Sequence, residues 1–90
     1  MNDEAAIPAL AVGVKFRFDT VRDSWVVLAP ERLFVPDEQA VEVLKLVDGV
    51  RTLGAITDAL CARYDAPGDV VMQDVVAMLD DLAAKGVMTW

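Results

Sequence analysis

Apolar and charged residues alternate over a short stretch near the start of the chain. Val14, Phe16 and Phe18 alternate with charged residues across positions 14–19. A period of two residues is typical of an antiparallel strand with one buried face. A polar connection of hairpin length follows, and positions 24–29 are then apolar on both faces. This pattern predicts that 24–29 is the central strand of a small sheet.

A third apolar stretch, at positions 32–35, follows a turn at Pro30 and Glu31 and ends at Pro36. Because proline cannot donate a backbone hydrogen bond, this stretch is predicted to be an edge strand. It contains no lysine, a residue that commonly protects a free edge against pairing with another chain. We therefore expect an unprotected edge at which another chain can bind.

Helical periodicity begins after the third strand. Asp37 is the predicted N-cap of a first helix, and Gly49 is its predicted stop. Thr52 is the predicted N-cap of a second helix over 53–64, whose apolar residues fall on one narrow stripe. Such a stripe indicates a helix with one buried face.

A third helix is predicted from about position 69 to Lys85, just before Gly86. Its apolar side chains cover roughly 160° of the circumference at 100° per residue. That arc is wider than one core face of a small domain requires, so we expect one flank to pack on the core and the other to line a groove. The candidate groove residues are Met72, Val75, Val76, Leu79 and Leu82.

Strands followed by helices predict an α+β domain over 14–90, with a three-stranded antiparallel sheet followed by three helices. A small sheet with short helices is a winged helix-turn-helix-like arrangement. Residues 87–90 are expected to form a short extended tail. Residues 1–13 begin polar and contain Pro8 and Gly13, so they are expected to be a flexible lead-in or a linker.

The charge balance argues against a nucleic acid partner. The 90 residues carry 15 acidic and 8 basic side chains, a formal net charge of −7. Four aspartates and one lysine lie on the third helix, which would be the recognition helix of a winged-helix DNA-binding protein. Phosphates repel such a helix. DNA binding and dimerisation through the free edge are kept as alternative functions.

The composition offers little material for catalysis. The chain has no histidine and one cysteine, Cys61, so neither a metal site nor a Cys/His nucleophile pair is expected. Asp80 and Asp81 are adjacent and point about 100° apart on a helix, so they cannot share a proton or a metal. We expect a non-enzymatic protein without a cofactor. Neither a membrane span nor a signal peptide is expected, which favours a cytoplasmic protein.

Peptide recognition is the function that these features favour. An extended peptide can add its backbone to a free strand edge, and pockets beside the edge select its side chains. The predicted peptide-binding residues are the five candidates on the third helix together with Arg32, Leu33, Phe34, Val35 and Pro36.

Specific residues also connect this chain with a known family. The segment Leu28-Ala29-Pro30-Glu31-Arg32 after Trp25, and then Asp48-Gly49 followed by Thr52, resembles the pyrroloquinoline quinone biosynthesis protein D family. The resemblance covers about residues 14–88.

The resemblance implies a peptide chaperone. Members of this family bind the ribosomally made precursor peptide of the quinone and deliver it to a radical S-adenosylmethionine enzyme. Related recognition domains pair the peptide with their third strand and lay it against their third helix, which here implies 32–35 and the helix near 72–82. In some members the domain is fused to a neighbouring pathway enzyme. The expected oligomeric state is a monomer or a weak dimer.

Overall fold

The computed structural model describes residues 4–90. The elements follow the order predicted from the sequence, with a two-residue strand added near each end. They are β1 Ala9–Leu10, β2 Lys15–Asp19, β3 Ser24–Ala29, β4 Arg32–Phe34, α1 Glu38–Leu44, α2 Leu53–Tyr64, α3 Gly68–Ala84 and β5 Met88–Thr89. No helix in this part of the chain is long and apolar enough to span a bilayer.

Strands β2, β3 and β4 form an antiparallel sheet in that order, with β3 in the centre. Phe16 pairs with Val27, and Val27 pairs with Phe34, so one row of side chains crosses all three strands on the same face. Val27 is almost fully buried. This face packs against the helices and places β4 at the edge of the sheet.

The hairpin between β3 and β4 has a two-residue turn at Pro30 and Glu31. Proline fixes φ near −65°, and Glu31 has a φ of +62°. A proline followed by a residue with positive φ is the combination that a type II turn requires. The turn fixes the pairing of Ala29 with Arg32, and therefore the register of β4.

Side-chain caps start two of the helices at the predicted residues. The Asp37 carboxylate accepts a hydrogen bond from the Ala40 amide at 2.8 Å. The Thr52 hydroxyl accepts one from the Ala55 amide at 3.1 Å. Each cap satisfies an amide that has no partner within its own helix.

The first helix is shorter than the pattern predicts. It ends at Leu44, before the expected stop at Gly49. The amides of Leu46 and Val47 bond to carbonyls three residues back, which tightens the chain into turns. Val47 is still buried, so its place in the apolar pattern reflects packing against the core beyond the end of the helix.

The connection between α1 and α2 is held by the Asp48 carboxylate, which accepts hydrogen bonds from the amides of Val50 and Arg51 at 2.9 and 2.8 Å. These two amide bonds, that of Arg51 first, lower the pKa of the Asp48 carboxyl below its ordinary value. Gly49 has a φ of +77° and lies next to Ala9. The Asp-Gly pair therefore shapes this connection.

Replacing Asp48 with asparagine is expected to make the free energy of unfolding less dependent on pH in the acidic range. Because the pKa of Asp48 is lowered in the folded protein, its stabilising contribution is fully present above the unfolded pKa and is lost as the pH falls through the folded pKa. Asparagine accepts the same bonds without titrating. Urea unfolding at a series of pH values should show a smaller loss below about pH 4 in the variant. An identical pH dependence in both proteins would contradict this.

The segment predicted to be a flexible lead-in is packed in the structure from Glu4 onwards; residues 1–3 lie outside the described residues. Strand β1 pairs antiparallel with β5, and Pro8 is buried. The carbonyls of Glu4 and Ala6 accept hydrogen bonds from the Gly54 and Leu53 amides at 3.0 and 2.7 Å. Amides in the first turn of a helix have no intrahelical partner, so this segment supplies acceptors that α2 lacks.

One core lies between the sheet and the helices, and β5 closes it. Its fully or almost fully buried side chains come from β3, all three helices and the chain end. The least exposed of them are Val27, Leu53, Ile56, Val75, Leu79, Val87 and Met88.

Candidate functional site

The outer edge of β4 is free in the described part of the chain, because the sheet ends there. Ala29 and Arg32 flank the two-residue turn, so this pair exchanges its backbone hydrogen bonds within the hairpin. Antiparallel pairs alternate, so Phe34 also points its backbone groups towards β3, whereas Leu33 points its N–H and C=O outwards. Val35, just beyond the strand, is next in this alternation. Leu33 and Val35 are therefore the positions to which an added strand can bond.

Side chains of β4 point alternately towards the helices and away from them. Phe34 faces the helices, packs against the core and is half-buried. Leu33 and Val35 face the opposite side of the sheet, where 39% and 59% of their surface is exposed. The apolar side chains of β4 thus flank a backbone edge that is itself open.

A cavity of about 300 Å³, here called the edge groove, lies beside β4 on the helix side. Its walls come from β3, β4, the segment after β4, α1 and the C-terminal half of α3. The lining residues are Val27, Phe34, Val35, Pro36, Asp37, Ala40, Met78, Asp81, Leu82 and Lys85. A peptide strand on β4 would place every second side chain over this groove.

Arg32 connects β4 with the C-terminal end of α3, the two elements on either side of the edge groove. Its Nη2 donates a hydrogen bond to the Lys85 carbonyl at the C-terminus of α3, at 2.7 Å. A cation at this end of a helix is favoured by the helix dipole. The guanidinium also lies 5.3 Å from the centre of the Phe34 ring, and Lys85 pairs with Asp81 at 2.8 Å. Arg32, predicted as a peptide contact, has a bridging role in the free protein.

Replacing Arg32 with glutamine is expected to lower the free energy of unfolding by about 1 kcal/mol and to weaken peptide binding with it, because the groove walls lose their link. Arg17 on β2 provides the control. It is exposed and has no ion pair among residues 4–90. Arg17→Gln should leave both quantities nearly unchanged, as measured by urea unfolding and calorimetry. Equal effects of the two substitutions would contradict a specific bridge.

The five predicted residues on α3 divide between different surroundings. Val75 and Leu79 are 2% and 0% exposed, and both belong to the core. Leu82 is also largely buried, although it reaches the edge groove. Met72 and Val76 are half-buried and lie on the opposite side of Val75 from the groove, by the 100° rotation per residue.

The pattern missed the groove flank of α3, which carries Met78, Asp81 and Lys85. A wide apolar arc shows that a second surface exists, but it does not show which end of the arc faces the core. The sequence does contain a signal for this flank. Met78 is apolar, whereas Asp81 and Lys85, three and seven positions later on the same face of the helix, are polar.

A second and larger cavity continues from the edge groove. This acidic cleft has a volume of about 790 Å³ and shares Pro36 and Met78 with the edge groove. It lies between the β2–β3 end of the sheet, α1, the end of α2 and the N-terminal half of α3. Its lining includes Phe18, Asp23, Trp25, Glu38, Glu42, Lys45, Tyr64, Val71 and Asp74.

Carboxylates dominate the charge of the acidic cleft. Asp23, Glu38 and Asp74 have no ion-pair partner among residues 4–90. Glu42 pairs with Arg63 at 2.9 Å. Lys45 also lines the cleft, and its ammonium nitrogen lies 5.2 Å from the centre of the Trp25 ring. The cleft therefore combines negative charge with exposed aromatic surface.

The described residues contain no group of three or more histidine, cysteine or acidic side chains that could hold a metal ion. Cys61 is half-buried and lies near Gly68. A Cβ atom added at Gly68 would lie 3.8 Å from the Cys61 sulfur, an ordinary van der Waals contact. The open edge of β4 and the edge groove beside it offer backbone hydrogen bonds and side-chain contacts to an extended chain.

A protein-family model described as coenzyme PQQ synthesis protein D matches residues 24–88. The chain belongs to this family. A PqqA binding protein of Bradyrhizobium diazoefficiens is 50% identical over 86 residues, covering 96% of this chain and 84% of that protein. A bifunctional coenzyme PQQ synthesis protein C/D of Methylorubrum extorquens is 48% identical over 82 residues, covering 91% of this chain and 22% of that protein.

Solved structures confirm the predicted fold class. The solution structure of the PqqD truncation of Methylobacterium extorquens PqqCD superposes with a TM-score of 0.82 at 43% identity, covering 100% of this chain and 96% of that one. That truncation is described as a stand-alone recognition element for ribosomally synthesised and modified peptides. The crystal structure of PqqD from Xanthomonas campestris gives a TM-score of 0.62 at 33% identity, with both chains fully covered.

Proposed function

We propose that this protein is a peptide chaperone of pyrroloquinoline quinone biosynthesis, which binds the precursor peptide as an additional strand on β4. The observation that supports this most strongly is the free edge at Leu33 and Val35, directly beside a groove that reaches α3. Relatives that are 50% and 52% identical to this chain over 86 residues are named PqqA binding proteins. A structural neighbour is described as a peptide recognition element.

Strand addition suits the chemistry of the edge groove. Main-chain hydrogen bonds to β4 supply sequence-independent affinity, and the groove selects alternate side chains. Met78 and Phe34 offer apolar contacts, while Asp81 and Lys85 offer polar ones. Met adapts its shape easily, which favours binding of irregular side chains.

DNA binding is the weaker alternative. The exposed surface of α3 carries Asp69, Asp74, Asp80 and Asp81, and Lys85 follows at its C-terminus. A recognition helix with this balance repels phosphates. The winged-helix-like architecture is therefore used for a peptide, and we propose that the protein itself catalyses no reaction.

The proposed acceptor of the bound peptide is the radical S-adenosylmethionine enzyme of the pathway, in the cytoplasm. A relative that joins this domain to a second activity supports a carrier role, since fusion keeps a peptide close to its pathway enzymes. The free edge can also pair with a second copy. The protein is therefore proposed to be a monomer or weak dimer whose self-association competes with the peptide.

Calorimetric titration of the protein with its PqqA precursor peptide tests the proposal directly. We expect saturable binding at one site per chain. Sedimentation with the peptide and the radical S-adenosylmethionine enzyme should then show a complex of all three. Absence of peptide binding would overturn the chaperone function. Peptide binding without a three-component complex would limit the role to peptide capture. A gel shift with duplex DNA at low salt should be negative.

A further inference from the structure

The edge groove and the acidic cleft form one path along α3. Lys85 lies at one end of this path, Met78 belongs to both cavities, and Val71 lies in the acidic cleft. The helix rises 1.5 Å per residue, so the path is about 21 Å long. An extended chain advances about 3.3 Å per residue, so the path accommodates about six residues. Strand β4 is three residues long and can pair with half of them.

The two ends of the path differ in charge. At the β4 end, the basic groups Arg32 and Lys85 lie over the Phe34 ring. They are balanced by the carboxylates of Asp37 and Asp81, and Asp81 pairs with Lys85 at 2.8 Å. At the other end, three carboxylates that have no ion-pair partner within residues 4–90 border the cleft, at Asp23, Glu38 and Asp74. A peptide that follows the path from β4 therefore passes from balanced charge to net negative charge. Complementary charge along a groove fixes the register of a bound chain.

Aromatic surface lines the acidic end. Phe18 and Tyr64 are 42% and 52% exposed, although large apolar side chains are usually covered. Trp25 stacks on Phe16 and meets the edge of Phe18. Lys45 over the Trp25 ring shows that a cation can approach its face in this cleft. A cleft with carboxylates around aromatic rings can bind a cationic side chain whose apolar stem, or an adjacent apolar residue, packs on the rings.

We propose that the acidic cleft is a second subsite for the same precursor peptide, which binds a segment carrying an arginine or lysine next to a large apolar residue. This inference rests on the proposed function, because it assumes that the peptide pairs with β4. The acidic cleft would bind the segment of the peptide that does not pair with β4. In this arrangement β4 supplies backbone affinity and the acidic cleft supplies selectivity and register.

The indole N–H resonance of Trp25 gives a direct test in the complete protein. With ¹⁵N-labelled protein and unlabelled PqqA peptide, this resonance is expected to shift on binding. A peptide in which every arginine and lysine is replaced by glutamine should still shift the amides of Leu33 and Val35, but it should leave the Trp25 indole near its free position. An unchanged Trp25 indole with the native peptide would overturn the subsite.

A charge reversal provides the matched measurement. Asp74→Lys is expected to weaken binding of the native peptide about tenfold at low salt, with a smaller loss at high salt. Asp58→Lys changes the net charge equally at an exposed position on α2 that lines neither cavity, and should change affinity less than about twofold. Equal effects of the two reversals would contradict the subsite.

The two proposals fail in different ways. If the native protein does not bind the peptide at all, strand addition and the subsite are both wrong. If the native protein binds, but the Trp25 indole and the Asp74 variant respond like their controls, the chaperone function stands and the subsite is wrong. Should Asp74→Lys not fold, the two peptides and the Trp25 resonance of the native protein still decide the question.

Discussion

Replacing Val35 with proline is expected to weaken binding of the precursor peptide about tenfold to a hundredfold while the fold persists. The Val35 N–H follows Leu33 in pointing away from β3, so proline deletes a donor that an added strand would use. A peptide carbonyl without its partner costs about 1–3 kcal/mol. The folded protein loses little, because Val35 is 59% exposed and lies outside β4.

Val35→Ala is the control for this substitution. Alanine removes most of the side chain but keeps the backbone donor, so it separates main-chain pairing from side-chain contact. We expect a loss below about threefold, since a half-exposed valine contributes little apolar burial. Calorimetry gives the affinities, and circular dichroism verifies that both variants are folded. If alanine weakens binding as much as proline does, side-chain contact and not strand addition holds the peptide.

Two adjacent residues of α3 are expected to respond in opposite ways to truncation. Leu79 is fully buried, so Leu79→Ala should lower the free energy of unfolding by about 2–5 kcal/mol. Met78 is half-buried and lines both cavities, so Met78→Ala should cost about 1 kcal/mol of stability. The affinity for the peptide should fall several-fold in the Met78 variant and stay nearly unchanged in the folded Leu79 variant.

Urea unfolding measures the stability of the two variants, and calorimetry measures their affinity for the peptide at a temperature where both are folded. The comparison is sensitive because the two substitutions remove side chains of similar size from neighbouring positions. A Leu79 variant with normal stability and weak binding would show that the core assignment is wrong. It would support the sequence-based prediction that Leu79 contacts the peptide.

The free edge could be predicted from sequence because its determinants are local. Pro36 stops the strand, Pro30 and Glu31 set the turn, and the absence of lysine leaves the edge open. Each of these is a property of one position or of a few neighbouring positions in the chain. The caps at Asp37 and Thr52 are equally local, and the structure confirms both.

The groove flank of α3 could not be predicted in the same way, because it depends on how the helix is rotated against the sheet. Arg32 contributes to that rotation through the Lys85 carbonyl, a contact between positions 53 residues apart. Periodicity places Val75 and Met78 in the same apolar arc but does not separate core from groove. The packed segment from Glu4 was missed for a related reason: its partners are the α2 N-terminus and β5, both distant in sequence.

The central claim is that the peptide becomes a strand on β4, and amide hydrogen exchange measures this most directly. In the free protein the amides of Arg32 and Phe34 are bonded to β3, whereas those of Leu33 and Val35 face outwards. Addition of the precursor peptide should slow exchange at Leu33 and Val35 much more than at Arg32 and Phe34. Binding that leaves the exchange of Leu33 and Val35 unchanged would contradict strand addition.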